Sequence, residues 1–363
     1  MNIKILLLTR YTAKGASSRL RSFQFAPELQ KLGFEVSIAP LFGDAYLQSL
    51  YNSSSWAVHR FSQIGNIVAT YMRRLHHLFQ HRSADVVWVE KELFPYLPAA
   101  FETLLSRSGV PYVVDYDDAV FHNYDLHTSR LVRTLLGNKL RPLLRSAFAV
   151  TAGNSYLADY ARSQGAGRVE LVPTVVDVGR YTTEPRVPGG PLRIGWIGSP
   201  STSQYLDVVA GALRRLSRSK DILLVTVGAK AQAMPGVAVQ EHDWQLGTEA
   251  ELIQGFDVGI MPLHDSPWER GKCGYKLIQY MSSGKPVVAS PIGVNTEIVS
   301  SDVGLLAENE DAWEQHLSTR AEKPERRGAM GLAGRARVER EYSLQVAVPK
   351  VAHLLSAAAR GVG

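Results

Sequence analysis

The segment FDVGIMPLHDSPWERGKCGYKLIQYMSSGKPVVASPIGVNTEIV, residues 256–299, decides how the chain is read. Its pattern predicts strand, loop, helix, strand, turn and helix in succession. DVGIMP (257–262) is a short buried strand. The loop HDSPWERGKCG (264–274) carries Arg270 and Lys272 into a glycine just before a helix. YKLIQYMSS (275–283) is that helix, closed by Gly284, and PVVAS (286–290) is the next strand. A helix N-terminus presents unsatisfied N–H groups and the positive end of the helix dipole, so a Gly/Lys loop feeding it favours an anion. In an open α/β sheet, ligands sit at the carboxyl ends of the strands, where this loop lies. The segment therefore predicts a phosphate-bearing ligand at Lys272–Tyr275.

The surrounding sequence repeats the same alternation. IKILLL (3–8), FEVSIA (34–39), DVVWVE (85–90), PYVVDY (111–116), AFAVTAG (147–153) and VELVPT (169–174) read as strands separated by helical segments. Among these, SRLRSFQFAPELQKLG (18–33) predicts one helix with Leu20, Phe23, Leu29 and Leu32 on an apolar stripe. VGRYTTEPRVPGGPL (178–192) cannot continue an element and marks a linker. After it come RIGWIG (193–198), a helix at 203–218, ILLVTVG (222–228), a helix at 247–255, and then the opening segment. Such alternation predicts α/β architecture with two doubly wound parallel sheets. The expected domains are 1–177, the linker 178–192, 193–345, and a C-terminal helix 346–363 that packs back on the first domain. A cleft between two such domains is the default ligand site.

Composition narrows the classes. A chain of 363 residues suggests two domains, and a hydrophobic content of 45% suits a soluble globular protein. No apolar run reaches the roughly 20 residues that span a bilayer. The chain enters a strand at once, with no basic leader. The one cysteine, Cys273, excludes an internal disulfide and a cysteine-rich metal site. These features predict a cytoplasmic protein. The net charge of +6 is uneven: residues 1–180 hold 20 Lys/Arg against 14 Asp/Glu, and residues 181–363 hold 20 against 20. The excess gathers on two predicted helices, 65–82 and 128–145, whose basic faces suit solvent, anionic lipid or an acidic partner. Nucleic acid is disfavoured, since no binding motif appears and exposed aromatics do not interleave the basic residues. The absence of G-x-G-x-x-G after the first strand disfavours a dinucleotide-binding dehydrogenase.

Four segments together resemble the retaining glycosyltransferases of family 4, two-domain GT-B enzymes that use nucleotide-diphosphate sugars. They are TRYTAKGASSRLR (9–21), VTAGNSYLADYARSQG with VELVPTVVD (150–177), RIGWIGSPS (193–201), and DVGIMPL through GKPVVASPIGVNTEIV. The last is the specific one; the others are common α/β punctuation. The resemblance implies two facing Rossmann-like domains with a deep cleft, acceptor on the first and donor on the second. It implies a donor-diphosphate site at Lys272, Cys273, Gly274, Tyr275 and Lys276, approached by Gly15 and Arg19. It places Gln279, Trp244, Gly198 and Ser199 near the ribose and base. Two glutamates of the family motif are missing, because Gly271 and Gln279 stand in their places. A glutamine amide can still hydrogen-bond a diol. Asp265, Glu269 and His122 are the candidate sugar contacts.

In the first domain the family often carries a histidine after the strand matching PYVVDY; here the sequence is DYDDAVFH (115–122), with Asp117 at that place. Asp117 and Asp118 are therefore candidate catalytic residues beside Lys272. Asp115-x-Asp117 also spells a D-x-D metal signature, and a turn-capping role is a third reading. Trp244 lines the base pocket or belongs to the core, and Gly15 serves a cleft loop or an ordinary turn. The expected chemistry needs no metal or cofactor beyond the donor. Fixed positive groups would stabilise charge developing on the leaving diphosphate. The expected acceptor is a glycan or a lipid-linked glycan. Open alternatives are a nucleotide-sugar epimerase or hydrolase of the same fold and a non-catalytic nucleotide- or glycan-binding relative.

Overall fold

The computed structural model describes residues 2–51, 60–80, 83–184, 189–231 and 234–361. Residues 185–188 of the expected linker and 81–82 of the first basic segment lie outside them. The chain divides into two compact units, Met1–Thr174 with Ala347–Gly363, and Val175–Val346.

The first unit is built on six parallel strands: β1 (Lys4–Leu8), β2 (Glu35–Ile38), β3 (Val86–Glu90), β4 (Tyr112–Tyr116), β5 (Ala149–Ala152) and β6 (Val169–Leu171). Their order is β2-β1-β3-β4-β5-β6. The second holds β7 (Leu192–Ile197), β8 (Ile222–Val227), β9 (Ala238–His242), β10 (Val258–Met261), β11 (Val287–Ala289) and β12 (Gly304–Leu306), in the order β12-β11-β10-β7-β8-β9. The central strands are near-continuous apolar runs, because helices cover both faces of a parallel sheet. β3, β4 and β5 are buried at every position. Ile5 pairs Val86 across β1 and β3, and Val258 pairs Ile194 across β10 and β7. Gly195 sits inside β7 because a Cβ there would lie 1.9 Å from the Phe256 ring. Strand order reverses between β1 and β3 and between β7 and β10, and these switch points open crevices at the strands' carboxyl ends.

Three local readings change. The segment 18–33 is not one helix: a π-helical turn (Arg19–Phe23) precedes a separate helix (Ala26–Lys31). Leu29 is buried but Leu32 is exposed, so the expected stripe does not hold throughout. Pairing explains the break, since the widened turn carries Arg21 inward onto Asp115. The second basic segment is likewise two short helices, Arg130–Leu136 and Arg141–Arg145. Its Lys139 is buried, as is Arg74 of the helix Arg60–Gln80, so neither belongs to a basic surface. Finally, β9 had no place in the succession read from the sequence. It is an edge strand, exposed along most of its length, and AVQEH lacks an apolar run.

Candidate functional site

In the second unit the loops after β7 and β10 flank the switch point. Beyond β10 a single helical turn, Pro267–Arg270, leads through Gly271 to Gly274, the N-cap of the helix Tyr275–Ser282. Gly274 is left-handed at φ 65°, and a Cβ there would meet Ile298 Cδ1 at 2.3 Å. Glycine is required for this entry into the helix. Gly274→Ala is expected to cost about 1–2 kcal/mol from the left-handed backbone alone, measured as a lower denaturation midpoint; an unchanged midpoint contradicts it.

Each lysine of the loop rests on an aromatic ring. Lys272 Nζ lies 5.9 Å from the Tyr205 ring centroid, and Lys276 Nζ lies 4.5 Å from that of Trp196. A helix beginning early enough to hold both would put them on one face, but it begins at Tyr275, so Lys272 stands in the loop before the left-handed Gly274 and only Lys276 is helical. Burial, and then the Lys272 charge, push the Lys276 ammonium down to about 7. Among the described residues no carboxylate pairs with Lys276. Two neighbouring ammonium groups at a helix N-terminus form a site that an anion stabilises.

Glu269 is not turned outward for a sugar. It is buried, and it accepts hydrogen bonds from the Tyr205 hydroxyl and from Ser266 Oγ. Burial raises its carboxyl, but those hydrogen bonds outweigh it and leave the group below the usual range. Glu269 thus ties the loop after β10 to Tyr205, on the 3₁₀ segment Pro200–Leu206 that follows β7. Asp265 is exposed and paired in bidentate fashion with Arg270, at 2.7 and 2.9 Å.

Gly198 and Ser199 begin that second loop. A Cβ on Gly198 would strike the Trp196 ring at 2.5 Å, and the Ser199 N–H donates to Thr202 Oγ1 at 3.1 Å. Gln279 is buried and donates to the Tyr181 hydroxyl at 3.1 Å. Trp244 is half-buried, its indole N–H donating to Glu249 Oε2 at 2.7 Å. Glu249 also takes Arg180 at 3.2 Å and Tyr181 at 3.4 Å, so Gln279 and Trp244 belong to one polar network. Cys273 is buried. Gly271 offers only backbone where the family motif has a glutamate.

In the first unit, charged groups gather where the crevice between β1 and β3 opens. Lys91 is buried in the left-handed region at φ 66°, and its ammonium reaches Asp117 at 2.9 Å and Asp118 at 3.7 Å. A non-glycine residue held there costs of order 1–3 kcal/mol and persists where its surroundings impose it. Asp115 takes both arms of Arg21 at 2.9 and 2.6 Å. Each carboxylate of the D-x-D spelling therefore has its own cation. His122 has both ring nitrogens engaged, with Asp125 and Tyr156, each at 2.8 Å. Gly15 is buried, where a Cβ would meet Tyr11 Cβ at 2.5 Å, and Arg19 folds back on the carbonyls of Ala13 and Lys14. No group of three His, Cys, Asp or Glu among the described residues is arranged to hold a metal ion.

The sequence reading missed Tyr205, Trp196, Lys91, Glu90 and Arg21. The one available signal was Trp196 within RIGWIG, an aromatic two residues before the loop. The others read as surface charges or core.

Residues 19–174 match the family model described as "Glycosyl transferase 4-like domain", and residues 191–322 match "Glycosyl transferases group 1". Both units thus carry glycosyltransferase domains, in the order and with the fold of a GT-B glycosyltransferase. No curated protein matches the sequence. The structure is similar to sucrose-phosphate synthase from Thermosynechococcus elongatus, at 14% identity and a TM-score of 0.71, covering 97% of this chain and 98% of that one. It is similar to a glycosyltransferase from Rickettsia africae ESF-5, at 13% and 0.67, covering 98% of each chain. It is also similar to Anabaena HepE in complex with UDP-glucose, at 14% and 0.70, covering 98% and 100%. At such identities the likeness concerns the fold.

Proposed function

We propose that the protein transfers a sugar from a nucleotide-diphosphate donor to a glycan or lipid-linked acceptor with retention of configuration, in the synthesis of a surface polysaccharide or glycoconjugate. The observation that carries this reading is the Lys272–Lys276 pair at the entry of the helix Tyr275–Ser282, with Lys276 lacking a carboxylate partner among the described residues. A diphosphate supplies the missing negative charge. As the bond to the anomeric carbon breaks, charge grows on the leaving phosphate, and both ammonium groups stabilise it along with the backbone N–H groups of Cys273–Tyr275. The lysines act in place of a metal, and the donor is the only small molecule required beyond the acceptor. Gln279 and Trp244 lie toward the ribose and base. In this reading Asp117 and Asp118 are the first unit's candidate groups for sugar and acceptor, and Gly15 and Arg19, whose guanidinium here bonds the carbonyls of Ala13 and Lys14, are its candidate phosphate contacts. That the Anabaena relative was solved with UDP-glucose supports a uridine-type donor.

We further propose peripheral contact with an anionic membrane at the cytoplasmic face. Among the described residues no helix is long and apolar enough to cross a membrane. Val68, Met72 and Phe79 are exposed on the helix Arg60–Gln80, as are Leu131 and Leu135 beside Arg130. Apolar side chains among cations suit a lipid surface.

The test is incubation with a panel of nucleotide sugars, with and without oligosaccharide and lipid-linked acceptors, reading the product linkage by NMR. Donor turnover that requires an acceptor and keeps the anomeric configuration is expected. Turnover without acceptor points to an epimerase or hydrolase. Donor binding by calorimetry with no transfer to any acceptor points to a non-catalytic relative.

A further inference from the structure

Ser17 Oγ lies 2.5 Å from Asp117 Oδ2 and 3.1 Å from Glu90 Oε1. One hydroxyl carries one hydrogen, and an ionised carboxylate only accepts. If both carboxylates were ionised, one of these two contacts would have no proton between its oxygens. The other Glu90 oxygen, Oε2, already accepts from Ser18 Oγ at 2.7 Å and from the Arg10 N–H at 3.0 Å. A proton carried by Glu90 would therefore sit on Oε1.

We propose that Glu90 is a neutral carboxylic acid at pH 7, donating through Oε1 to Ser17, which in turn donates to an ionised Asp117. The dyad then holds one negative charge and places it on Asp117. Glu90 is a positioning residue in this scheme. Its relevance to transfer rests on the reading that Asp117 faces the substrate; its protonation does not.

The surroundings agree. Glu90 is 1% exposed, and the groups facing it come from four places. Lys91 follows it in the chain, Asp117 lies beyond β4, Arg10, Ser17 and Ser18 lie beyond β1, and Arg74 stands on the helix Arg60–Gln80. Two cations whose charge acts on it make their contacts elsewhere: Lys91 pairs with Asp117 and Asp118, and Arg74 donates to the carbonyls of Ala39 and Thr9. Burial raises the Glu90 carboxyl, and the Asp117 charge adds to this, against the opposing charge of Lys91. Asp117 moves the other way. Burial raises it, but Lys91, Arg21 and the Ser17 hydroxyl outweigh that and hold it low. Two coupled carboxyls sharing a bridging group divide their charge in this manner.

Glu90→Gln preserves the arrangement, since the amide can donate to Ser17 and its oxygen can accept from Ser18 and Arg10. A carboxyl raised on folding makes the wild type lose stability as pH climbs above the ordinary glutamate range, because the native state binds the extra proton. The variant lacks that loss. Chemical denaturation of both proteins from about pH 4 to pH 7 is expected to show the midpoint of Glu90→Gln rising relative to wild type. A constant or reversed difference overturns the proposal. If the variant does not fold, infrared spectra of protein carrying ¹³C-labelled glutamate decide. A protonated-carboxyl stretch at pH 7 that shifts in Ser17→Ala is expected, and its absence or indifference to Ser17 overturns the proposal. Transfer assays separate the two readings. Glu90→Leu should lower kcat and the conservative Glu90→Gln restore it, whereas Asp117→Asn loses turnover. A midpoint shift without any transfer activity sustains the dyad and sinks the role of Asp117. Transfer without the shift does the reverse.

Discussion

Replacing Lys276 with methionine weakens binding of a nucleotide-diphosphate sugar about ten- to a hundredfold below neutral pH, the range expected for one charge-assisted hydrogen bond. Methionine keeps most of the side chain's length and apolar bulk while removing the ammonium that lies over the Trp196 ring, so the loss reports the charge. The effect should depend on pH in a defined direction. The ammonium is held down to about 7 by burial and by Lys272. Below that value it is charged and attracts the diphosphate; above it the amine is neutral, so wild-type affinity falls as pH rises through neutrality. A nucleotide-diphosphate sugar is the right probe, since a terminal phosphate itself titrates near pH ~6 and would blur the result. Calorimetry on wild type and Lys276→Met at both ends of the range checks the point. The variant should bind with a flat profile. Equal losses for the diphosphate and the bare nucleoside would remove the lysine from the phosphate site.

The second large effect concerns stability. Lys139 is buried, with Nζ 2.7 Å from Glu92 Oε2, 3.1 Å from Glu102 Oε1 and 2.7 Å from the Phe94 carbonyl. Glu92 also holds Arg10 at 2.9 Å and the Tyr124 hydroxyl at 2.7 Å. Lys139→Met takes the shared ammonium from two buried carboxyl groups, leaving Glu92 with Arg10 and Glu102 with no cation in its place, an imbalance that costs about 3–5 kcal/mol. The first unit should unfold at markedly lower denaturant. The deficit should shrink on acidification. Burial raises the Glu92 carboxyl, but the charges of Lys139 and Arg10 and the hydrogen bonds from Lys139 and Tyr124 outweigh it and hold it low. That contribution is present above the ordinary glutamate range and disappears as pH falls through the folded value. A variant that denatures with wild type at every pH would show the cluster to be energetically idle.

The sequence carried the architecture because parallel strands buried on both faces leave short apolar runs, as in VVWVE and VVDY. The exception, β9, lies at a sheet edge, where exposure removes that signature. The glycine entry to the helix Tyr275–Ser282 was legible for a related reason: Gly274 and the flanking lysines are local features of the sequence. What surrounds it was not. Tyr205 reaches Glu269 across 64 positions, and Arg21 reaches Asp115 across 94. Nothing local distinguishes such a buried carboxylate from one bathed in water. Lys139 and Arg74 show the same blindness from the cationic side. Both were counted toward basic faces, yet both are interior groups. Gln279 was read as a ribose contact from its place in a motif, and only the fold reveals its bond to Tyr181.

The first unit is discontinuous, closed by residues 347 onward, whereas the second is one unbroken stretch. Val351, Leu354, Leu355 and Ala358 are buried side chains of that returning segment. During synthesis, then, the half that leaves the ribosome first cannot be the first to finish. It must wait, incomplete, while the intervening 172 residues of Val175–Val346 are made. The first unit therefore spends that interval with the seat of its returning segment unfilled.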